Sequence, residues 1–435
     1  MPYFPPSLIA RLRAILYVRL TDHFANFPAA VLNGISPTSP LRRLVRVAGY
    51  AAVRLVGHLL QPIRNREQLQ GAVWLYVVSA NNYDALSFIK EARPDAVLVA
   101  GQGKQIGRYG EVVNRLSLRR KILYYWQYPT TLLGLWREVG GRALRFFDLV
   151  FYATGYYEVY RRALRHYRPR AVIFANDHND DARALLLACR AEGVPTAYVQ
   201  HASVSTNFPP LGFDLSLLEG QDALDKYRQC GPVRGQVELV GMPKADSFLA
   251  QRNTAPRVRR VAVACNLLDE LPALADTLAY LLRELPELTF TLRPHPGDRR
   301  DFAALRRGLP PLQWSDPQQE NVFEFLQAHD TLVAADTSTH LEATLLNVAS
   351  VYYRFSPSPT LADYYGYAAQ GLSEWAHTLP ALAAALARLA QHKPLDLYRR
   401  AAYYNATLDT PDEGHSRALA VRRLGEWLGA PAGGA

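Results

Sequence analysis

Past residue 66 the chain alternates short apolar runs with longer stretches of helical period. "AVWLYVVS" (72–79), "DAVLVAG" (95–101), "KILYYWQY" (121–128), "DLVFYAT" (148–154), "AVIFAND" (171–177), "PTAYVQH" (195–201), "DLSLLEG" (214–220) and "VELVGMP" (237–243) are rich in β-branched and aromatic residues, and several close on Gly, Asn, Asp or His. They read as strands. Between some of them lie helical segments, "DALSFIKEA" (84–92) and "DARALLLACRAEG" (181–193), the second stopped by a glycine and a proline. Strands that are apolar throughout and separated by helices predict a parallel sheet covered on both faces.

The series restarts after a polar, basic stretch, "QRNTAPRVRR" (251–260). "RVAVACN" (260–266), "LTFTLRP" (288–294), "DTLVAAD" (330–336) and "ASVYYRF" (349–355) read as strands, and "LADTLAYLLREL" (274–285) and "THLEATLLN" (339–347) as helices. The expectation is an α/β chain of two Rossmann-like, doubly wound domains, 67–250 and 251–400. A helical segment, 1–66, precedes them, and helices in 401–435 pack back across both. Open parallel sheets bind ligands beyond the carboxyl ends of their strands, so two facing sheets define a cleft lined by strand-end loops.

Composition narrows the class. The 435 residues are 49% hydrophobic and 20% charged, which excludes a disordered chain. Three cysteines, Cys189, Cys230 and Cys265, are too few and too scattered for a disulfide framework or a zinc cluster. The sequence lacks an apolar run of membrane-spanning length and the order of a secretory signal, so a cytoplasmic chain is expected. Net charge is +10, and nine arginines against Asp22 put +8 of it in residues 1–66. "SLIARLRAILYVRL" (7–20) and "LRRLVRVAGYAAVRLVGHLL" (41–60) space those arginines among apolar residues at helical period. Such helices lie on anionic membrane surfaces; the alternative is that they pack on the body of the protein. The remainder is nearly neutral, without the basic groove that nucleic acid requires.

Candidate chemistry stands at the strand ends. "TLRPHPGD" (291–298) closes a buried strand on Arg293, His295 and Pro296, and "GDRRDFAALRRGL" after it reads as a helix start able to offer N–H groups to an anion. "ADTSTHLEA" (335–343) puts Thr337, Ser338 and Thr339 at a strand-to-helix turn, with Glu342 one turn in. Hydroxyls suit phosphate oxygens, a carboxylate suits a ribose or sugar hydroxyl, and plain helix capping is the alternative for the hydroxyls. In the first domain, "ANDHNDD" (175–181) and "QHASVS" (200–205) supply His201 and Asp177 as candidates to take a proton from an acceptor hydroxyl. Asp180 and Asp181 also suit the cap of the following helix. "GQGKQIG" (101–107) fits no phosphate-loop pattern and reads as a loop.

"RPHP", the "TST…E" turn and "GMPKAD" (241–246) together resemble, over about 170–355, the GT-B glycosyltransferases of bacterial surface polymers. These are capsule Kdo transferases, bacterial sialyltransferases and CDP-glycerol glycerophosphotransferases. Gln200-His201 looks like the Gln-His-Gly of the capsule and teichoic acid enzymes, with Ala202 in place of glycine; the acidic Asp/Glu-Asp-Gly motif of the sialyltransferases is absent from the first domain. The resemblance implies a GT-B-like fold and a nucleotide-sugar donor carried on a cytidine nucleotide. It places His295 on the donor phosphate with Ser338 or Thr339 beside it, and implies no obligatory metal and no cofactor. Gln200, Lys244 and Asp180 are expected as further cleft residues. The function expected is transfer of a sugar to a hydroxyl of a capsule or lipopolysaccharide glycan, free or lipid-linked, at the inner face of the bacterial inner membrane. The alternatives are a CDP-glycerol-type glycerophosphotransferase, a UDP-sugar 2-epimerase and a non-catalytic subunit that binds nucleotide or polymer.

Overall fold

The computed structural model describes residues 7–27, 29–57, 67–101, 111–356 and 362–429. The glycine-rich stretch after Gly101, the end of the second basic segment at 58–60 and the residues from there to 66 lie outside the described residues.

Two parallel sheets organise the chain. The first contains β1 (Val73–Tyr76), β2 (Val97–Gly101), β3 (Asn114–Leu116), β4 (Ala171–Phe174), β5 (Thr196–Val199), β6 (Leu215–Leu218) and β7 (Gln236–Leu239), in the order β3-β2-β1-β4-β5-β6-β7. The second contains β8 (Arg260–Cys265), β9 (Thr289–Pro294), β10 (Gln313–Trp314), β11 (Thr331–Ala334), β12 (Ala349–Tyr352) and β13 (Glu374–Trp375), in the order β10-β9-β8-β11-β12-β13. Both orders reverse once, at β1/β4 and at β8/β11, and ligands bind at such switch points in doubly wound sheets.

Side-chain alternation explains why these strands are apolar throughout. Trp74 and Tyr76 of β1 join Val172, Phe174 and Tyr198 in the core on one face. Val73 and Leu75 point the other way, to Ile173, Ala197 and Leu217. That second face is covered by helix Ala80–Ala92, through Leu86 and Ile89, and by the last helix, Ser416–Gly429, through Leu419, Ala420 and Leu424. The C-terminal helix therefore returns to the first sheet.

Two expected strands are helical. "KILYYWQY" lies in a 3₁₀ stretch, Arg119–Gln127, and "DLVFYAT" in helix Phe147–Ala153. Leu149, Val150, Phe151 and Ala153 are all buried, so hydrophobicity alone carries no period that would distinguish helix from strand. In the first stretch, Lys121 is buried with its ammonium 3.3 Å from the centre of the Tyr156 ring and bonded to the carbonyl of Tyr152. The short edge strands β3, β10 and β13 had no sequence signal, because two or three residues cannot display an alternation.

The first basic segment packs on the body. Leu12, Ile15, Leu16, Leu20 and Phe24 enter the first-domain core beside Leu135 and Phe146. Its arginines are engaged there: Arg11 with Glu158 (3.5 Å), Arg13 with Glu138 (3.2 Å) and Arg19 with Asp180 (3.6 Å).

Candidate functional site

The carboxyl ends of both sheets open onto one cleft of about 720 Å³. Gln200 and His201 follow β5 and Glu219 follows β6. From the other side come Arg293, His295 and Pro296 at the end of β9, and Thr337, Ser338, Thr339 and Glu342 beyond β11; all of these line the cleft, together with Lys244 from the inter-domain connection.

The connection is built by its own sequence. Gly241 has φ +78°, and a Cβ there would meet the Ser416, Thr407 and Asn405 side chains, so "GMPKAD" requires its glycine. Asp246 accepts hydrogen bonds from the backbone N–H groups of Ser416 (3.1 Å) and Arg417 (2.8 Å), which caps the last helix. Lys244 is thereby presented to Glu342, with which it forms an ion pair. Burial works against the charge on Lys244, but Glu342 and Glu219 hold its pKa above the ordinary lysine value.

His295 is exposed, and its Nδ1 accepts from the N–H of Gly297 at 3.0 Å. An accepting Nδ1 carries no proton, so the neutral ring keeps its hydrogen on Nε2 and can donate it to a ligand oxygen. Pro296 is pinned by its carbonyl, which accepts from Gln318 Nε2 at 3.0 Å. Arg293 has a different task from the one expected of a phosphate ligand. The residue is only 7% exposed, and its guanidinium bonds Ser315 Oγ (2.6 Å) and the Glu320 carbonyl (2.8 Å) and lies over the Phe325 ring. The expected helix start after "RPHP" is a loop instead: Asp298 pairs with Arg300, Arg300 ties to the Asn266 carbonyl (2.8 Å), and the helix begins only at Ala303. At the other turn, Thr337 and Thr339 share a hydroxyl contact of 2.9 Å, and Ser338 makes no side-chain capping bond.

On the facing wall, Gln200 joins two strand ends. Its Oε1 accepts from the Glu219 N–H (2.9 Å) and its Nε2 reaches Glu219 Oε2 (3.3 Å) and the Ala202 carbonyl (3.1 Å), fixing the loop that carries His201. His201 Nδ1 is buried without a hydrogen-bond partner among the described residues. Burial, and then the neighbouring His178 ring stacked 6.1 Å away, push its pKa down to about 4, so the imidazole is neutral at physiological pH.

Asp177 and Asp180 are not brought to the cleft lining. Asp177 is 3% exposed and accepts from Tyr227 OH at 2.6 Å, with His178 Nδ1 at 2.9 Å. Burial raises its pKa, but the His178 and Tyr227 bonds outweigh it and hold the carboxyl below the usual range. Asp180 faces Arg19 of the N-terminal segment, while Asn179 caps the helix. The acidic cluster thus supports the wall behind His201.

Glu219 was not singled out in the sequence, although "DLSLLEG" ends a buried strand on it as "PTAYVQH" ends on His201. It is 3% exposed, and burial pushes its pKa up to about 7; Lys244 opposes that rise and Glu342 adds to it. A carboxyl that binds its proton more tightly when folded stabilises the fold fully below its unfolded pKa, and this contribution is lost as pH rises through the folded value. We expect the stability of the wild type relative to Glu219→Gln to fall by about 3 kcal/mol between about pH 4.5 and about pH 8, most of it below about pH 7. Urea unfolding of the two proteins across that range measures it, and a pH-independent difference contradicts the assignment.

No protein-family model matches the chain, and no curated protein matches it in sequence. Solved structures do. The UDP-GlcNAc 2-epimerase from Neisseria meningitidis bound to UDP-GlcNAc superposes with a TM-score of 0.52 at 10% identity, over 82% of this chain and 99% of that one. The UDP-GlcNAc 2-epimerase from Methanocaldococcus jannaschii gives 0.51 at 10% identity over 82% and 99%. A variant of the wall teichoic acid polymerase TagF gives 0.51 at 9% identity, over 89% of this chain and 97% of that chain. The fold is GT-B-like. At such identities the likeness is one of architecture, two Rossmann-like domains facing across a cleft.

Proposed function

We propose that the protein is a glycosyltransferase that moves a sugar from a nucleotide-activated donor, CMP- or CDP-linked, to a hydroxyl of a growing bacterial capsule or lipopolysaccharide glycan. The observation that carries the reading is the polarity of the cleft. One wall offers hydrogen-bond donors for a phosphate, His295 Nε2–H and the Ser338 and Thr339 hydroxyls; beside them stands the Lys244–Glu342 pair. The other wall offers a neutral imidazole with an unpartnered nitrogen.

In this reading Glu342 accepts from a ribose hydroxyl, and Lys244, His295 and Ser338 or Thr339 stabilise the leaving phosphate, a task assigned to these groups rather than to a metal. The acceptor oxygen attacks the anomeric carbon, the bond from that carbon to the phosphate oxygen breaks, and the electron pair leaves with the nucleotide. His201 takes the acceptor's proton. Arg293 shapes the wall through Ser315 and Glu320, and Gln200 positions His201. The acceptor is a glycan or lipid-linked glycan, and the enzyme works from the cytoplasm on the inner face of the inner membrane.

A second reading, glycerophosphotransfer from a CDP-linked donor, has the wider fold coverage of the TagF polymerase in its favour, 89% of this chain against 82% for the epimerases. It uses the same groups, with attack at phosphorus. Both readings expect a cytidine nucleotide to bind. At about 100 times its Kd a ligand stabilises the folded state by about 2.7 kcal/mol, so CMP or CDP should raise the unfolding temperature while AMP and GMP leave it unchanged. No shift with any pyrimidine nucleotide contradicts both.

A further inference from the structure

The helix Pro40–Ala52 and its continuation Val53–Gly57 are turned inside out. A surface helix ordinarily buries its apolar stripe and solvates its arginines. Here Arg43 and Arg54 are 5% and 6% exposed, whereas Leu41, Val45 and Val53 are 70%, 65% and 62% exposed. The reason lies beneath: Arg43 caps the carbonyls of Leu144 and Arg145 and lies over the Phe147 ring, and Arg54 bonds Tyr50 OH at 2.5 Å. With Arg43 and Arg54 bound inward, the helix presents Leu41, Leu44, Val45 and Val53 outward, beside Arg42 and Arg46.

The elements against it continue the pattern. Val53–Gly57 packs on Arg119–Gln127, and Arg43 reaches Gly141–Arg145, which packs on Tyr128–Val139. These neighbours expose Leu123, Trp126, Leu133, Trp136 and Leu144, with Trp126 at 73%. Eleven of the fourteen large apolar side chains exposed among the described residues fall in 41–56 and 123–144, so the exposure is concentrated rather than scattered.

Charge decides what covers this surface. Residues 40–57 and 119–145 contain nine arginines and Lys121 against the single acid Glu138, a balance of +9, and Arg42, Arg46, Arg119 and Arg137 are exposed. A second copy would bring these exposed arginines against one another. An anionic bilayer complements it, and tryptophans with flanking arginines are what the lipid headgroup region accommodates. We infer that the surface formed by residues 41–56 and 123–144 inserts into the interface of an anionic lipid bilayer. This relocates membrane contact away from residues 7–20, whose arginines are paired to the body. It does not rest on the transfer reaction, and nucleotide binding is the readout that separates the two.

The test uses full-length protein and equimolar phosphatidylcholine–phosphatidylglycerol vesicles. The wild type should float with them at low salt, less so at high salt and on pure phosphatidylcholine. Val45→Ser, Leu123→Ser and Trp126→Ser combined should lower partitioning by a hundredfold or more, each side chain contributing roughly tenfold, while the nucleotide-induced thermal shift stays unchanged. Should that variant fold poorly, wild-type tryptophan emission should still shift to the blue and be quenched by brominated lipid. Wild type that stays unbound at low salt, a folded variant that floats equally well, tryptophans unquenched by lipid, or a concentration-dependent dimer that replaces vesicle binding each overturns the inference.

Discussion

His201→Asn lowers turnover by about 10²–10⁴-fold, the usual contribution of a general base, and leaves donor affinity little changed. The side chain stands opposite the wall that carries His295, on a loop held by Gln200, and its Nδ1 is buried without a hydrogen-bond partner among the described residues. The sign of the pH dependence follows from burial. The neutral ring is the active form, so activity is present above its pKa and lost as pH falls through it. In the free protein that pKa is pushed from 6.5 down to about 4, so the acid limb of kcat/KM lies below the ordinary histidine range. A bound anionic donor favours the imidazolium, which moves the limb of kcat to higher pH. Undiminished turnover in His201→Asn would pass the base to Glu219, whose pKa of about 7 suits proton transfer. Asp177 would not inherit the role, because Tyr227 and His178 hold it behind the wall.

His295→Asn weakens donor binding by roughly ten- to a hundredfold, the range of one hydrogen bond to a charged group at about 1.5–3 kcal/mol. Asparagine is the informative replacement. Its Oδ1 can accept from the Gly297 N–H as Nδ1 does, so the turn is retained while the Nε2 donor is removed. Because the ring is exposed, thermal stability should hardly change. Titration of wild type and variant with the cytidine nucleotide measures this, and equal affinities would remove His295 from the phosphate.

The strands and the cleft were legible because they rest on strong, local signals. Runs such as "AVIFAND" and "TLRPHPGD" are apolar on both faces and stop on polar residues, which is what a covered parallel strand requires. The same signal misled at 148–154, where a helix buried on most sides is as apolar as a strand. Positions that line the cleft were legible residue by residue where a side chain stands at a strand end, as with His201, His295 and Ser338. It was not legible where function depends on which neighbour holds the group. Arg293 and Asp177 have the right chemistry, but Ser315, Glu320, Tyr227 and His178 engage them, and of these partners Ser315, Glu320 and Tyr227 come from distant segments. The arginines of residues 8–54 show the same limit. Their spacing marks helices, yet only the packed structure reveals that Arg11, Arg19, Arg43 and Arg54 face inward.

The proposed reaction breaks the bond between a sugar and its nucleotide and passes the sugar to a hydroxyl. Incubation of the full-length protein with CMP- and CDP-linked donors and bacterial glycan acceptors, followed by quantification of free nucleotide and extended glycan, tests it most directly. Nucleotide should be released in step with glycan extension, and both should be suppressed together in His201→Asn. Donor left intact, or its sugar interconverted with no acceptor extended, would contradict it.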